Sequence, residues 1–155
     1  MLTLELPDLA TTARIARALA PRLRAGDVIA LHGDLGAGKT AFARFLIQAL
    51  GIEDEVPSPT FTLVQTYPVE GRDFDAVWHF DLYRIETPED VDELGVDEAL
   101  DTGVSLIEWP ERMGAALPAD RLSITLRLVE DRRSMSLSGG PGWTGRLQQL
   151  GDDLT

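Results

Sequence analysis

Hydrophobic positions along this chain recur with two periods, and the switches between them outline its elements. Leu2 to Leu6 alternates apolar and polar, as a short strand does. Thr12, Ile15, Ala16, Leu19 and Leu23 then return at helical spacing, with Pro21 weakening the last turn because it removes a backbone donor. Asp27 to His32 is a compact apolar run opening onto glycines, the form of a buried strand. Phe42, Phe45, Leu46, Ala49 and Leu50 share one helical face, and Gly51 stands where a left-handed stop is wanted. Residues 27–51 therefore read as strand, loop, helix.

Pro57 and Pro59 mark 52–59 as an ordered loop. Phe61 to Tyr67 and Val77 to Leu82 read as two strands joined around Glu70-Gly71-Arg72-Asp73, a hairpin. In Thr87-Pro88-Glu89-Asp90 an N-cap hydroxyl precedes a proline and two acids, and Val91 and Leu94 give that short helix an inner face before Gly95. Gly103 to Glu108 is a second buried strand, ended by Trp109-Pro110. Leu122, Ile124, Leu126 and Leu128 alternate with polar residues, and Ser134 to Leu137 can pair with them across a turn at Glu130 to Arg133. The glycine-rich end predicts one weak helix and a loose tail. We find no internal repeat and no second domain.

Length and composition narrow the function. At 155 residues with 44% apolar, one domain can bury a sizeable core. The formal net charge of -12 argues against unaided binding of RNA or DNA, whose phosphates attract the opposite sign. There is no cysteine, so disulfides, thiolate nucleophiles and Cys-ligated zinc are excluded. No apolar run approaches the ~18 residues of a membrane span, and the start lacks the pattern of a signal peptide. A cytoplasmic protein is expected. The excess acid is concentrated in residues 51–101, where Glu86, Glu89, Asp90, Asp92, Glu93, Asp97, Glu98 and Asp101 follow one another without a basic residue between. That run is either a solvated face or a docking surface for a basic partner.

Lys39 is the only lysine, and it lies in Gly33-Asp34-Leu35-Gly36-Ala37-Gly38-Lys39-Thr40. This is G-x-x-x-x-G-K-[ST] between a strand and a helix, the context that a phosphate-binding loop requires. Glycines let backbone N–H groups point inward, the helix start adds its positive end, Lys39 reaches the β- and γ-phosphates, and Thr40 offers a hydroxyl to Mg²⁺. Nucleotide binding is the firmest expectation.

A second carboxylate is expected at the end of a buried strand, where nucleotide sites of α/β sheets lie. Glu108 and Asp81 both qualify, the alternative for each being a turn cap or an arginine partner. Alternation puts Asp81 on one face with Val77 and His79. We expect His79 and His32 to be packed strand residues rather than catalytic bases. Thr60 is either a hydroxyl sensing γ-phosphate or a turn residue. Trp78 and Trp109 are expected in the core rather than stacked on a base. Arg132 and Arg133, placed in the last turn, either approach phosphate or ribose or serve solubility.

GDLGAGKT, SPTFTLVQTY, HFDLYRI and EWPER, in that order and in a chain of this length, resemble the TsaE (YjeE) family, the bacterial P-loop ATPase of tRNA threonylcarbamoyladenosine biosynthesis. The resemblance covers roughly residues 5–137. It implies an α/β fold, a single-domain P-loop NTPase with a mixed parallel and antiparallel sheet flanked by helices. The core would span about 2–138, with 139–155 a C-terminal extension. It further implies binding of ATP and Mg²⁺, slow hydrolysis alone, and joint action with TsaB and TsaD, which hold the tRNA. By the same resemblance Leu35, Gly36, Ala37, Gly38, Lys39 and Thr40 match the nucleotide loop, and Thr40 and Glu108 match the Mg²⁺ ligands. Asp81 matches an aspartate needed for activity, Leu9 a position near the nucleotide, and Arg132 an arginine at the nucleotide, with Arg133 beside it leaving the register open. Two other readings remain: a nucleotide-sensing module in which hydrolysis is incidental, and a small-molecule kinase, which would need a mobile arginine-rich lid.

Overall fold

The computed structural model describes residues 1–34, 36–52 and 63–154. Among them, seven strands form one sheet in the order β1-β7-β6-β2-β5-β4-β3. The strands are β1 Leu2–Glu5, β2 Val28–His32, β3 Val64–Pro68, β4 Ala76–Asp81, β5 Val104–Glu108, β6 Leu122–Val129 and β7 Arg132–Gly139. The α-helices are α1 Leu9–Leu19, α2 Lys39–Ala49, α3 Val96–Thr102 and α4 Thr144–Leu154. The apolar runs β2 and β5 take the centre, parallel to each other and to β6 and β4 respectively, as strands buried on both faces should. Antiparallel pairs close both sides: β3 on β4, β7 on β6 and β1 on β7. The sheet is therefore mixed, as the resemblance implies.

Two apolar layers cover the sheet. Ile29, Leu31, Val77, Val104 and Leu106 face a large core with Ile15 and Leu19 of α1 and Phe42, Leu46 and Ile47 of α2. Val28, Phe80 and Ile107 face a smaller one with Val91, Val96 and Met113. No helix among the described residues is long and apolar enough to cross a membrane.

Most predicted elements are present, and four details differ. First, β7 starts at Arg132, so Arg132 and Arg133 belong to the strand. The turn is Glu130-Asp131, both with positive φ (51° and 68°), the two-residue geometry that matches strand twist. Second, the glycine-rich end is no loose tail. It forms α4, with Leu150 and the preceding Trp143 fully buried. Third, α3 was not predicted; Gly95 in the left-handed region starts it after a 3-10 helix, Pro88–Leu94, capped by Thr87 and Asp90. Fourth, Pro21 turns the end of α1 into a 3-10 segment rather than merely fraying it. The hairpin of β3 and β4 stands, while Phe61, Thr62 and the loop 53–60 lie outside the described residues.

Candidate functional site

At the end of β2, Gly33 has φ +145°, and a Cβ there would fall 2.6 Å from the Leu126 carbonyl oxygen. Only glycine lets the loop leave the strand so close to β6. The chain turns through an Ala37 N–H to Asp34 carbonyl bond of 3.1 Å and enters α2 at Lys39. Gly38, the N-cap, has no side chain to answer the first N–H groups of α2, so these donors remain available to an anion. Leu35 lies outside the described residues.

The functional side chains converge here from three elements. Thr40 of α2 donates its hydroxyl to Glu108 Oε1 at 2.8 Å. Glu108 ends β5, and its other oxygen, Oε2, lies 2.7 Å from His79 Nε2 of β4. Parallel register aligns Asp81 of β4 with Glu108 of β5, so both predicted carboxylates emerge together at the strand ends. Lys39 Nζ donates to the Gly33 carbonyl at 2.5 Å and lies 3.5 Å from the centre of the Trp109 ring. Burial pushes the Lys39 ammonium below its ordinary value, while the carboxylates of Glu108, Glu111, Asp81 and Asp34 work against that shift. A cavity of about 420 Å³ is lined by Gly36, Gly38, Lys39, Thr40, Asp81 and Glu108 together with Tyr83, Arg84, Trp109 and Arg133.

Several residues stand elsewhere than the sequence suggested. Of the two arginines, Arg133 reaches the loop, with Nη2 3.5 Å from the Gly36 carbonyl oxygen. Arg132 is exposed opposite Val129 and does not line the cavity. Trp109 is half-buried and packed against the smaller core, but it takes the left-handed region (φ 58°) and also lines the cavity, its ring against Lys39 and 4.9 Å from Tyr83. Trp78 does pack, against Gly95 and Gly103 and stacked on Phe80. His79 is fully buried as expected, but His32 is not packed away: its Nδ1 lies 3.8 Å from Glu111 with the ring half-exposed. Leu9 opens α1, exposed, on a neighbouring cavity of about 350 Å³ that Asp8, Leu128, Asp131 and Arg133 also line. Tyr83 and Arg84 were missed; they follow Asp81 directly, and a site at strand ends was the signal for them. All eight acids between Glu86 and Asp101 are exposed, and Thr60 lies outside the described residues.

The family model of "Threonylcarbamoyl adenosine biosynthesis protein TsaE" matches residues 6–135. The chain belongs to the TsaE family. Among TsaE relatives, the "tRNA threonylcarbamoyladenosine biosynthesis protein TsaE" of Treponema pallidum is 41% identical over 77% of this chain and 87% of its own. That of Rickettsia bellii is 38% identical over 80% and 85%, and that of Bacillus subtilis 38% over 82% and 78%. The crystal structure of Bacillus subtilus YdiB is similar with a TM-score of 0.75 at 31% identity, covering 99% of this chain and 93% of that one. The TsaE matches thus agree with the mixed sheet and the loop after β2. In this TsaE-family site no cluster of three histidine or acidic ligands exists among the described residues. One hydroxyl and one carboxylate stand 2.8 Å apart instead, the set Mg²⁺ takes when phosphate and water complete its shell.

Proposed function

We propose that the chain binds ATP with Mg²⁺ in this cradle, hydrolyses it slowly by itself, and couples turnover to TsaB and TsaD. Its place in tRNA threonylcarbamoyladenosine biosynthesis follows from its family and from the names of its relatives. The observation that carries the ATPase reading is the Thr40 to Glu108 bond beneath the glycine loop, with Asp81 alongside in register. Loop N–H groups and Lys39 hold the phosphates, Thr40 and Glu108 hold the metal, and Asp81 orients the attacking water. Mg²⁺ neutralises charge on the phosphate oxygens when bound. Arg133 stands over the loop, where charge on the phosphoryl group is stabilised.

A chain of net charge -12 acts on tRNA through partners that carry the RNA, in the cytoplasm, with the acidic run at 86–101 as one contact. The kinase reading is disfavoured because Arg132 and Arg133 sit in the ladder of β7, where a lid would need them mobile. The test is Mg²⁺-dependent ATP turnover by the chain alone and with TsaB, TsaD and tRNA, with Lys39→Ala as control. Stimulated turnover and repeated tRNA modification, both lost in Lys39→Ala, are expected. Tight ATP binding without turnover in any mixture would leave the nucleotide sensor as the better account.

A further inference from the structure

His79 is completely buried in the sheet, yet it is polar and touches the site only through another residue. Alternation in β4 places Val77, His79 and Asp81 on one face, and parallel register aligns them with Val104, Leu106 and Glu108 of β5. His79 therefore lies one pleat behind the carboxyl pair, deeper in the molecule, where it reaches diagonally to Glu108. Its Nε2 is 2.7 Å from Glu108 Oε2, and a carboxylate only accepts, so Nε2 is the donor. The opposite ring nitrogen, Nδ1, is buried and has no partner among the described residues. That is an uncompensated cost, since a buried polar atom without a hydrogen bond is destabilising. An apolar side chain on this face, like Val77 or Leu106, would avoid it.

We infer that His79 is a positioning residue for Glu108, retained for the one hydrogen bond it gives. A glutamate side chain can rotate about its last bond, exchanging or tilting its oxygens. With Oε2 held from behind by His79, Oε1 is the oxygen presented to Thr40 and the cavity. Each oxygen of a carboxylate that is 2% exposed thus has one donor: an imidazole on the core side and a hydroxyl on the loop side. This inference rests on the reading of Thr40 and Glu108 as metal ligands, and it assigns His79 the role outer residues play in metal sites, aiming a ligand they do not replace.

The experiment compares ADP affinity of the intact chain with and without Mg²⁺, by calorimetry, in wild type, His79→Leu, His79→Gln and His79→Asn, with thermal melting of each. In His79→Leu the Mg²⁺ concentration that gives half of the metal-dependent gain in affinity should rise by about 10- to 100-fold. Mg²⁺-free ADP affinity should stay as in wild type. His79→Gln, whose amide nitrogen falls near the place of Nε2, should recover most of the loss, and the shorter His79→Asn should not. Should His79→Leu fail to fold, the glutamine and asparagine variants decide. Equal Mg²⁺ dependence in those two, or wild-type dependence in His79→Leu, would overturn the inference while leaving the metal site intact. Wild-type ADP affinity indifferent to Mg²⁺ would overturn the metal assignment and this inference together.

Discussion

Strand β2 has a buried charged cluster at each end, and the two are built in opposite ways. Just before the strand, Asp27 receives Arg146 at 2.6 and 3.0 Å and the Arg24 backbone N–H at 2.7 Å. Arg146 also donates to the carbonyls of Gly142 and Arg22, and its guanidinium lies 3.6 Å over the Trp143 ring. Every guanidinium nitrogen of Arg146 and both carboxylate oxygens of Asp27 have a partner, and α4 is tied to the body. Just after the strand, Lys39, Glu108 and Asp81 face a cavity, burial depresses the lysine against four opposing carboxylates, and His79 leaves one nitrogen without a partner among the described residues. Buried charges hold a fold together only where their geometry is closed. Where it is left open, they cost stability, as functional sites commonly do.

That contrast breaks most visibly at Arg146. Arg146→Ala leaves Asp27 buried and unpaired, so stability should fall by about 3–5 kcal/mol in denaturant unfolding. Replacing both Asp27 and Arg146 by leucine should restore most of it, because the isolated charge, rather than the missing bridge, is what costs. A loss in Arg146→Ala below about 1 kcal/mol, the value of a surface pair, would show that this end is not the anchor.

Lys39→Ala should behave the other way round. Turnover should drop by at least about 100-fold, the scale of one lost transition-state donor. The thermal midpoint should stay level or rise, because burial disfavours the Lys39 ammonium in the folded chain. Its sign with pH follows: above the folded pKa and up to 10.5 the unfolded chain binds more protons, so this residue's contribution to stability increases with pH there. A midpoint in Lys39→Ala that falls as far as in Arg146→Ala would erase the distinction between the two ends.

The two ends were not equally legible in the sequence. The open cluster was, because its parts are local: a glycine pattern after an apolar run, a lysine and threonine at a helix start, and acids at strand ends. What joins Asp81 to Glu108 is parallel register, which alternation and strand order make natural. The closed cluster was not legible. Asp27 and Arg146 are 119 residues apart, and a glycine-rich segment with one weak helical pattern is stabilised by that distant contact rather than by propensity. The choice between Arg132 and Arg133 stayed open in the sequence for a related reason. Two non-glycine residues, Glu130 and Asp131, take positive φ and shorten the turn, which puts the arginines in the strand and decides which one faces the loop. Trp109 sits in the left-handed region, a conformation its sequence does not announce.

Within the open end the glycines should rank by what surrounds them. Gly33→Ala meets the Leu126 carbonyl at 2.6 Å and should cost about 1–3 kcal/mol, with nucleotide affinity lost as the loop shifts. Gly36→Ala meets nothing within 4 Å and carries only its left-handed conformation (φ +81°), about 1 kcal/mol. Equal denaturation midpoints for the two would mean that the close approach to β6 does not shape the loop.

The smallest effect belongs to His32, the last residue of β2 and the link between strand and loop. Burial lowers its pKa below 6.5, Glu111 opposes, and Arg121 and Lys39 add to the lowering. As pH falls below 6.5 the unfolded chain takes up this proton first, so stability should decline from there toward the folded pKa. His32→Gln should flatten that decline slightly, the half-exposed ring and the Glu111 carboxylate keeping the change small. Turnover at neutral pH should be unaffected, since His32 is outside the cavity lined by Lys39 and Glu108. If turnover falls while the pH slope persists, His32 acts on the loop itself, and the open cluster extends one residue back into the strand that the closed one anchors.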